Sequence, residues 1–290
     1  MQFPLRPRFC FIALAAVWCV LLPRVGIAEK SAADDEGRIH WLANYQEARR
    51  MALRLHRLMI VNLETDWCTW CAAMDEDVFG DPEVSRQFGP NYIFVRKNAE
   101  SAPLGVILQR RFHVSSYPAT VVVEPLDELY VTIGGYQAPP ILIHDVNDAA
   151  SELHHLIVLR ERTRSSIASD QEREDLAQAY AERGLYRSAA ELYDGLLHET
   201  ALPNAPEYYF KLAVCRASEG ESAEALSTLE ALEGQFPNSP LTPEAEALRG
   251  EIWFHVGDSG KAKQILSSWL IKYAKNPLAA HVRSLLAQID

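Results

Sequence analysis

The chain has 290 residues, 48% hydrophobic and 23% charged, with 14 Gly and 16 Pro, a globular composition long enough for about two domains with separate cores. Its 28 Lys and Arg against 39 Asp and Glu leave a net charge of −11, and the first 28 residues hold three Arg and no acid, so the remainder sits at −14. Such a surface repels phosphates and argues against wrapping nucleic acid, and no apolar run reaches the roughly 20 residues needed to cross a bilayer, which excludes a multi-span transporter.

Arg6 and Arg8 precede an uninterrupted apolar stretch from Phe9 to Leu22, Pro23 breaks it, and Gly26-Ile27-Ala28 offers small residues for a cut. A charged start, a short apolar centre and a small-residue exit are the parts of a secretory signal. The pattern predicts a signal peptide over 1–28, a linker over 29–37 and an exported protein, placed in a periplasm; an uncleaved membrane anchor or a buried helix is the alternative. Cys19 follows the bulky Ala16-Val17-Trp18, which does not suit lipid attachment. Removal of the signal takes Cys10 and Cys19 with it and leaves Cys68, Cys71 and Cys215 where disulfides persist.

Trp41, Tyr45, Ala48, Ala52 and Leu55 recur at three to four residues and predict an amphipathic helix from Trp41 to Arg57. The apolar run Leu58 to Leu63 then reads as a buried strand. It leads into Thr65-Asp66-Trp67-Cys68-Thr69-Trp70-Cys71, a turn opening a helix. Tyr92 to Val95 is a second strand and Leu104 to Phe112 a helix. Thr120 to Glu124 and Leu129 to Ile133 are β-rich runs split by Pro125-Leu126-Asp127-Glu128, a hairpin signal. Ile141 to Leu159 closes the region with helical spacing, giving the order α-β-α-β-α-β-β-α.

Two cysteines three apart at a helix start can close a small ring without moving the backbone far. The first sulfur lies near unpaired N–H groups and the positive end of the helix dipole, which favours thiolate over thiol. Cys68 is therefore the attacking sulfur, and Cys71, one turn in, resolves the mixed disulfide. Trp67 offers an apolar lid over the pair, and the enclosed Thr69-Trp70 influences its potential. By itself a Cys-x-x-Cys pair also suits a zinc site or an inert structural disulfide. Zinc, however, wants two further Cys or His ligands at comparable spacing, and Cys215 is about 150 residues away with no His pair beside the motif. No metal and no other cofactor is expected.

The segment Thr65-Asp66-Trp67-Cys68-x-x-Cys71, the helix after it, and Ser116-Tyr117-Pro118-Ala119-Thr120 before a β-run together resemble the thioredoxin superfamily. The resemblance is to the exported thioredoxin-like domains related to the C-terminal domain of the thiol:disulfide interchange protein, and it covers roughly residues 38 to 160. It implies an α/β thioredoxin-like domain, assigned to 38–163, with a redox-active Cys68–Cys71 disulfide. It also implies a cis bond at Pro118, leaving the backbone of Tyr117 free to pair with an extended substrate. Two positions depart from the pattern: Asn62 stands where thioredoxins have a buried acid, and Ala72 where they favour Lys. An amide cannot take a proton from Cys71. Glu64, on the same strand face as Asn62, is the candidate substitute, its alternative being an exposed acid that merely solvates the site.

Past Arg164 the β-like runs stop. Gly184, Gly220 and Gly257 are spaced 36 and 37 apart, and Ala189, Ala225, Ala262 and Tyr193, Leu229, Leu266 share the same offsets. A period of that length marks helix-pair repeats. The pattern resembles the tetratricopeptide repeat, with Leu176-Ala177 and Tyr180 in one unit, Leu212-Ala213, Ala225 and Pro237 in the next, and Gly250, Trp253 and Ala262 in the third. Pro203, Pro237 or Pro240, and Pro277 punctuate the ends. Residues 164–290 are thus assigned to an all-α repeat domain with Leu278 to Ile289 as closing helix. Such arrays bind peptides or partner proteins, or serve as spacers or dimer surfaces. Tyr208-Tyr209-Phe210 and Cys215 fall in one of these helices and read chiefly as core.

The reading that unites both halves is an exported thiol–disulfide oxidoreductase acting on protein disulfides, with repeats that recruit a substrate or an upstream redox donor. The alternative is a non-catalytic scaffold of the cell envelope whose Cys pair is a structural disulfide. Copper delivery by the thiolates is a minor third, since soft ligands such as Met74 are few.

Overall fold

The computed structural model describes residues 39–198 and 204–289. The expected signal peptide and linker, and the punctuating Pro203, lie outside the described residues. Trp41 departs from the expected helix. Trp41–Leu42 forms a short edge strand, β1, parallel to Phe94 and Val95. Its indole packs edge-on against Phe79 and Phe94, with ring centroids 5.0 and 5.4 Å apart. Helix α1 (Tyr45–Leu55) starts instead at Asn44, whose side chain accepts the Glu47 N–H, and stops at His56, which turns left-handed at φ 52°.

Strands β2 (Leu58–Glu64), β3 (Tyr92–Asn98), β4 (Ala119–Val123) and β5 (Tyr130–Gly134) complete a five-stranded sheet in the order β1-β3-β2-β4-β5. β2 is parallel to β3, with Asn62 opposite Arg96, and antiparallel to β4, with Asn62 opposite Thr120. β4 and β5 form the expected antiparallel hairpin.

β2 is buried on both faces, as its unbroken apolar run requires. Met59, Val61 and Leu63 pack with Tyr45, Ala48 and Ala52, and with Leu108 of α4 (Pro103–Arg111). Leu58 and Ile60 belong to the opposite cluster, with Met74 and Val78 and with Leu142 and Val146 of α5 (Pro139–Arg164). Between β2 and β3 lie α2 (Thr69–Met74), which runs on as a π-helical turn over Asp75–Phe79, and α3 (Pro82–Phe88). Apolar spacing gives no sign of α3. Its signal is Asp81-Pro82, where the carboxylate caps the N–H groups of Glu83 and Val84 and Pro opens the first turn.

The 26-residue α5 joins the halves. The core that starts on the sheet at Ile60, Phe94 and Val122 continues through Leu153 and Leu156 of α5 into the repeat helices without a break. Those helices are α6 (Asp170–Glu182), α7 (Tyr186–His198), α8 (Ala205–Ser218), α9 (Ser222–Gln235), α10 (Thr242–Val256) and α11 (Ser259–Lys272), closed by α12 (Ala279–Ile289). Gly184, Gly220 and Gly257 sit in the turn inside each pair at φ 72°, 83° and 88°, where a side chain would be strained. Ala189, Ala225 and Ala262 are buried, and a Cβ on Gly250 would lie 2.4 Å from the Leu266 side chain, so α10 and α11 approach closely only because position 250 has none. Tyr208 and Cys215 are buried too, and burial pushes the Cys215 thiol up to about 11.

Candidate active site

The site forms where β2 ends. Glu64 closes the strand, Thr65 to Trp67 turn the chain, and Cys68 takes the capping position of α2. Its backbone is extended, and its Sγ accepts the Cys71 N–H at 3.1 Å, the part a hydroxyl or carboxylate plays at other helix starts. Cys68 and Cys71 are joined as a disulfide with Cα atoms 5.2 Å apart. The helix start thus sets a backbone N–H against the Cys68 sulfur. Cys68 and Cys71 are 8% and 5% exposed, whereas Trp67 and Trp70, which precede them, are 68% and 63% exposed.

Trp67, expected as a lid, is therefore itself open to solvent. Its Nε1–H donates to Glu100 at 2.8 Å, and its ring meets Tyr117 edge-on at 6.3 Å between centroids. Tyr117 precedes a cis peptide bond to Pro118, and the Pro118 carbonyl accepts the Gly135 N–H at 2.7 Å. The loop after β5 thereby reaches the same corner. From it Tyr136 packs on Trp70 with centroids 5.4 Å apart and directs its hydroxyl to Asp77 at 3.5 Å. The sequence marks Trp70 only as a residue enclosed by the Cys pair, and Tyr136 carries no motif that would have singled it out.

Under the helix lies a charged cluster of which the sequence pattern singles out only Glu64. Glu64 and Asn62 share a strand face with Ile60, the face against which Met74 packs, and the Asn62 amide donates to the Glu64 carboxylate at 3.4 Å. Arg96, opposite Asn62 on β3, pairs with Glu64 at 3.5 Å, bonds Asp75 in the π turn, and lies 4.3 Å above the Trp41 ring. Desolvation pushes the Glu64 carboxyl up, Arg96 partly restores it, and the Asp75 and Asp66 charges push it further up. A basic residue following the apolar run Tyr92 to Val95 is the one available signal for Arg96. The buried oxygens Asn62 Oδ1, Thr65 Oγ1, Thr120 Oγ1 and Tyr117 Oη accept or donate no hydrogen bond among the described residues. Four such atoms gather at this one corner.

Residues 40–125 match the thioredoxin-like protein family and residues 174–240 the tetratricopeptide repeat family. No curated protein sequence matches the chain. Among solved structures, a DsbH oxidoreductase aligns at 17% identity and TM-score 0.35, over 42% of this chain and 91% of its own. A thioredoxin from Thermus thermophilus aligns at 23% identity and TM-score 0.34, over 39% of this chain and 87% of its own. The Yersinia enterocolitica type III secretion chaperone SycD, in complex with a peptide of the translocator YopD, aligns at 20% identity and TM-score 0.36, over 42% of this chain and 95% of its own. The chain thus joins a thioredoxin-like domain, at residues 40–125, to tetratricopeptide repeats, at residues 174–240.

Proposed function

We propose that this protein is an exported thiol–disulfide oxidoreductase that acts on protein disulfides and uses its repeats to hold a protein partner. The observation that carries the redox reading is the Cys68 Sγ at the start of α2, within reach of the Cys71 N–H at 3.1 Å. In the reducing direction the Cys68 thiolate attacks one sulfur of a substrate disulfide, and the second substrate sulfur leaves as thiolate. The Cys71 thiolate then attacks Cys68 Sγ, reforming the disulfide and releasing the other substrate sulfur. Two electrons pass from the protein to the substrate. Glu64 receives the Cys71 proton. Export rests on the charged and apolar N-terminal pattern, and partner recruitment on the repeat family.

One observation favours the scaffold reading: both cysteines are nearly covered, at 8% and 5% exposure. Equilibration with glutathione separates the two. An exchanging pair reaches a measurable redox potential, and after reduction Cys68 alkylates before Cys71 near neutral pH. A pair that cannot be cycled, and a Cys68→Ser protein with every activity of the parent, would leave only the scaffold.

A further inference from the structure

Building on the redox reading, we infer that the preferred partner is a polypeptide whose disulfide lies beside Lys or Arg, seated on an aromatic platform with an anionic rim. The platform is Trp67 and Trp70, one before each cysteine and both more than half exposed. Grouped aromatic surface left open on a folded chain marks a place of contact. Each ring meets a tyrosine, Tyr117 for one and Tyr136 for the other.

Each side of the platform also ends on a carboxylate. Glu100 accepts the Trp67 N–H and Asp77 faces the Tyr136 hydroxyl, and both acids remain exposed. Asp66, beside Trp67, is exposed as well and accepts from Asn98. Residues 62–80, 98–101, 115–119 and 134–138, which build this corner, contain no Lys or Arg at all. The cation beneath, Arg96, is engaged by Glu64 and Asp75, and Lys97 after it bonds the Ala43 carbonyl. Nothing in the corner therefore offsets the rim, and an approaching Lys or Arg gains attraction from the carboxylates and a cation–π face on either indole. An acidic segment would meet like charge there. Specificity then comes from repulsion as much as attraction.

The test uses the full chain, reduced with dithiothreitol and freed of it, against three disulfide-linked peptides that differ only in Lys, Ser or Glu flanking their cysteine. Flanking charge also alters the peptide thiol as a leaving group, so each rate is divided by that of the same peptide with dithiothreitol. The Lys peptide is expected to exceed the Glu peptide by roughly tenfold at low salt, the ratio falling toward one at high salt as the rim is screened. Asp77→Asn combined with Glu100→Gln keeps acceptors for Tyr136 and Trp67 and should cut the ratio to within about twofold. Equal corrected rates for the three peptides, or a ratio that the double variant leaves in place, overturn the charge inference while leaving the oxidoreductase standing. Failure of every peptide to react, with the thiols shown to be reduced, overturns both.

Discussion

The corner around the disulfide and the seam between sheet and repeats both pair buried charges, but they differ in what they leave open to solvent. At the seam, buried charge meets opposite charge. Arg160 bonds both oxygens of buried Glu124 at 3.3 Å and Glu128 at 2.9 Å, while Glu124 also accepts the backbone N–H groups of Leu126 and Glu128. Arg183, from the end of α6, donates to the Tyr130 carbonyl of β5 at 2.9 Å and to Glu152 of α5 at 2.6 Å. Covered polar atoms without a hydrogen-bond partner occur in both regions, Arg160 Nε at the seam and four oxygens at the disulfide, but at the disulfide two indoles also stand in solvent. The seam uses its polar groups to hold two halves in one arrangement, whereas the corner leaves aromatic surface and acids open to solvent.

Two substitutions should pull the two regions apart. Cys68→Ser removes the attacking sulfur, so disulfide exchange should fall by roughly a thousandfold or more, while urea unfolding should match that of the reduced parent. The reverse is expected of Arg160→Ala, which strands Glu124 in the core. Loss of one partner of a buried pair costs about 3–5 kcal/mol, read as a lower urea midpoint, with the exchange rate of the folded fraction preserved. Should Arg160→Ala instead abolish exchange without loss of stability, seam and site would be one cooperative unit and the contrast would fail.

How much of this could be read in the sequence differs between the regions for a physical reason. Periodic features are local: the apolar run of β2, the hairpin at Pro125 to Glu128, and the glycines at 184, 220 and 257 each follow from a few neighbouring residues. The pair Cys68 and Cys71, with Trp67 before it, is equally local. The partners that complete the site are not. Arg96 reaches Glu64 and Asp75 only because β2 and β3 are parallel in a particular register, and Tyr136 reaches Trp70 only because β5 pairs with β4. Trp41 fails differently. Its three-to-four spacing fits a helix, but an indole that can fill the space beside Phe79 and Phe94 gains more as an edge strand than as a first helical turn.

Within the repeats, two glycines of unlike setting should respond with opposite sign. Gly257→Val forces a β-branched side chain to φ 88°, costing about 1–2 kcal/mol in chemical denaturation. Gly195 lies inside α7 with open space where a Cβ would stand, so Gly195→Ala should raise stability by about 0.5–1 kcal/mol through helix propensity. A gain at both positions would mean that the turn at Gly257 makes no conformational demand for glycine.

The smallest effect bears most directly on how the corner differs from the seam, because it asks whether an acid there is tolerated rather than satisfied. Glu64 has its carboxyl raised above its ordinary value of 4.5, with desolvation the leading cause and Arg96 the main opposing one. A raised folded-state value means that the folded protein holds the proton more tightly than the unfolded chain, so the stability Glu64 contributes is fully present below about pH 4.5 and is lost as pH climbs through the folded value. Glu64→Gln cannot ionise. Its thermal midpoint should therefore gain on the parent as pH rises from about 4 toward neutrality and then run parallel to it, with Asp75 still holding Arg96. A variant that loses ground over that interval would show the Arg96 pair outweighing desolvation, making the corner a second seam. The same protein reports on chemistry: resolution of a trapped mixed disulfide should slow if Glu64 takes the Cys71 proton, and unchanged turnover would remove it from the mechanism.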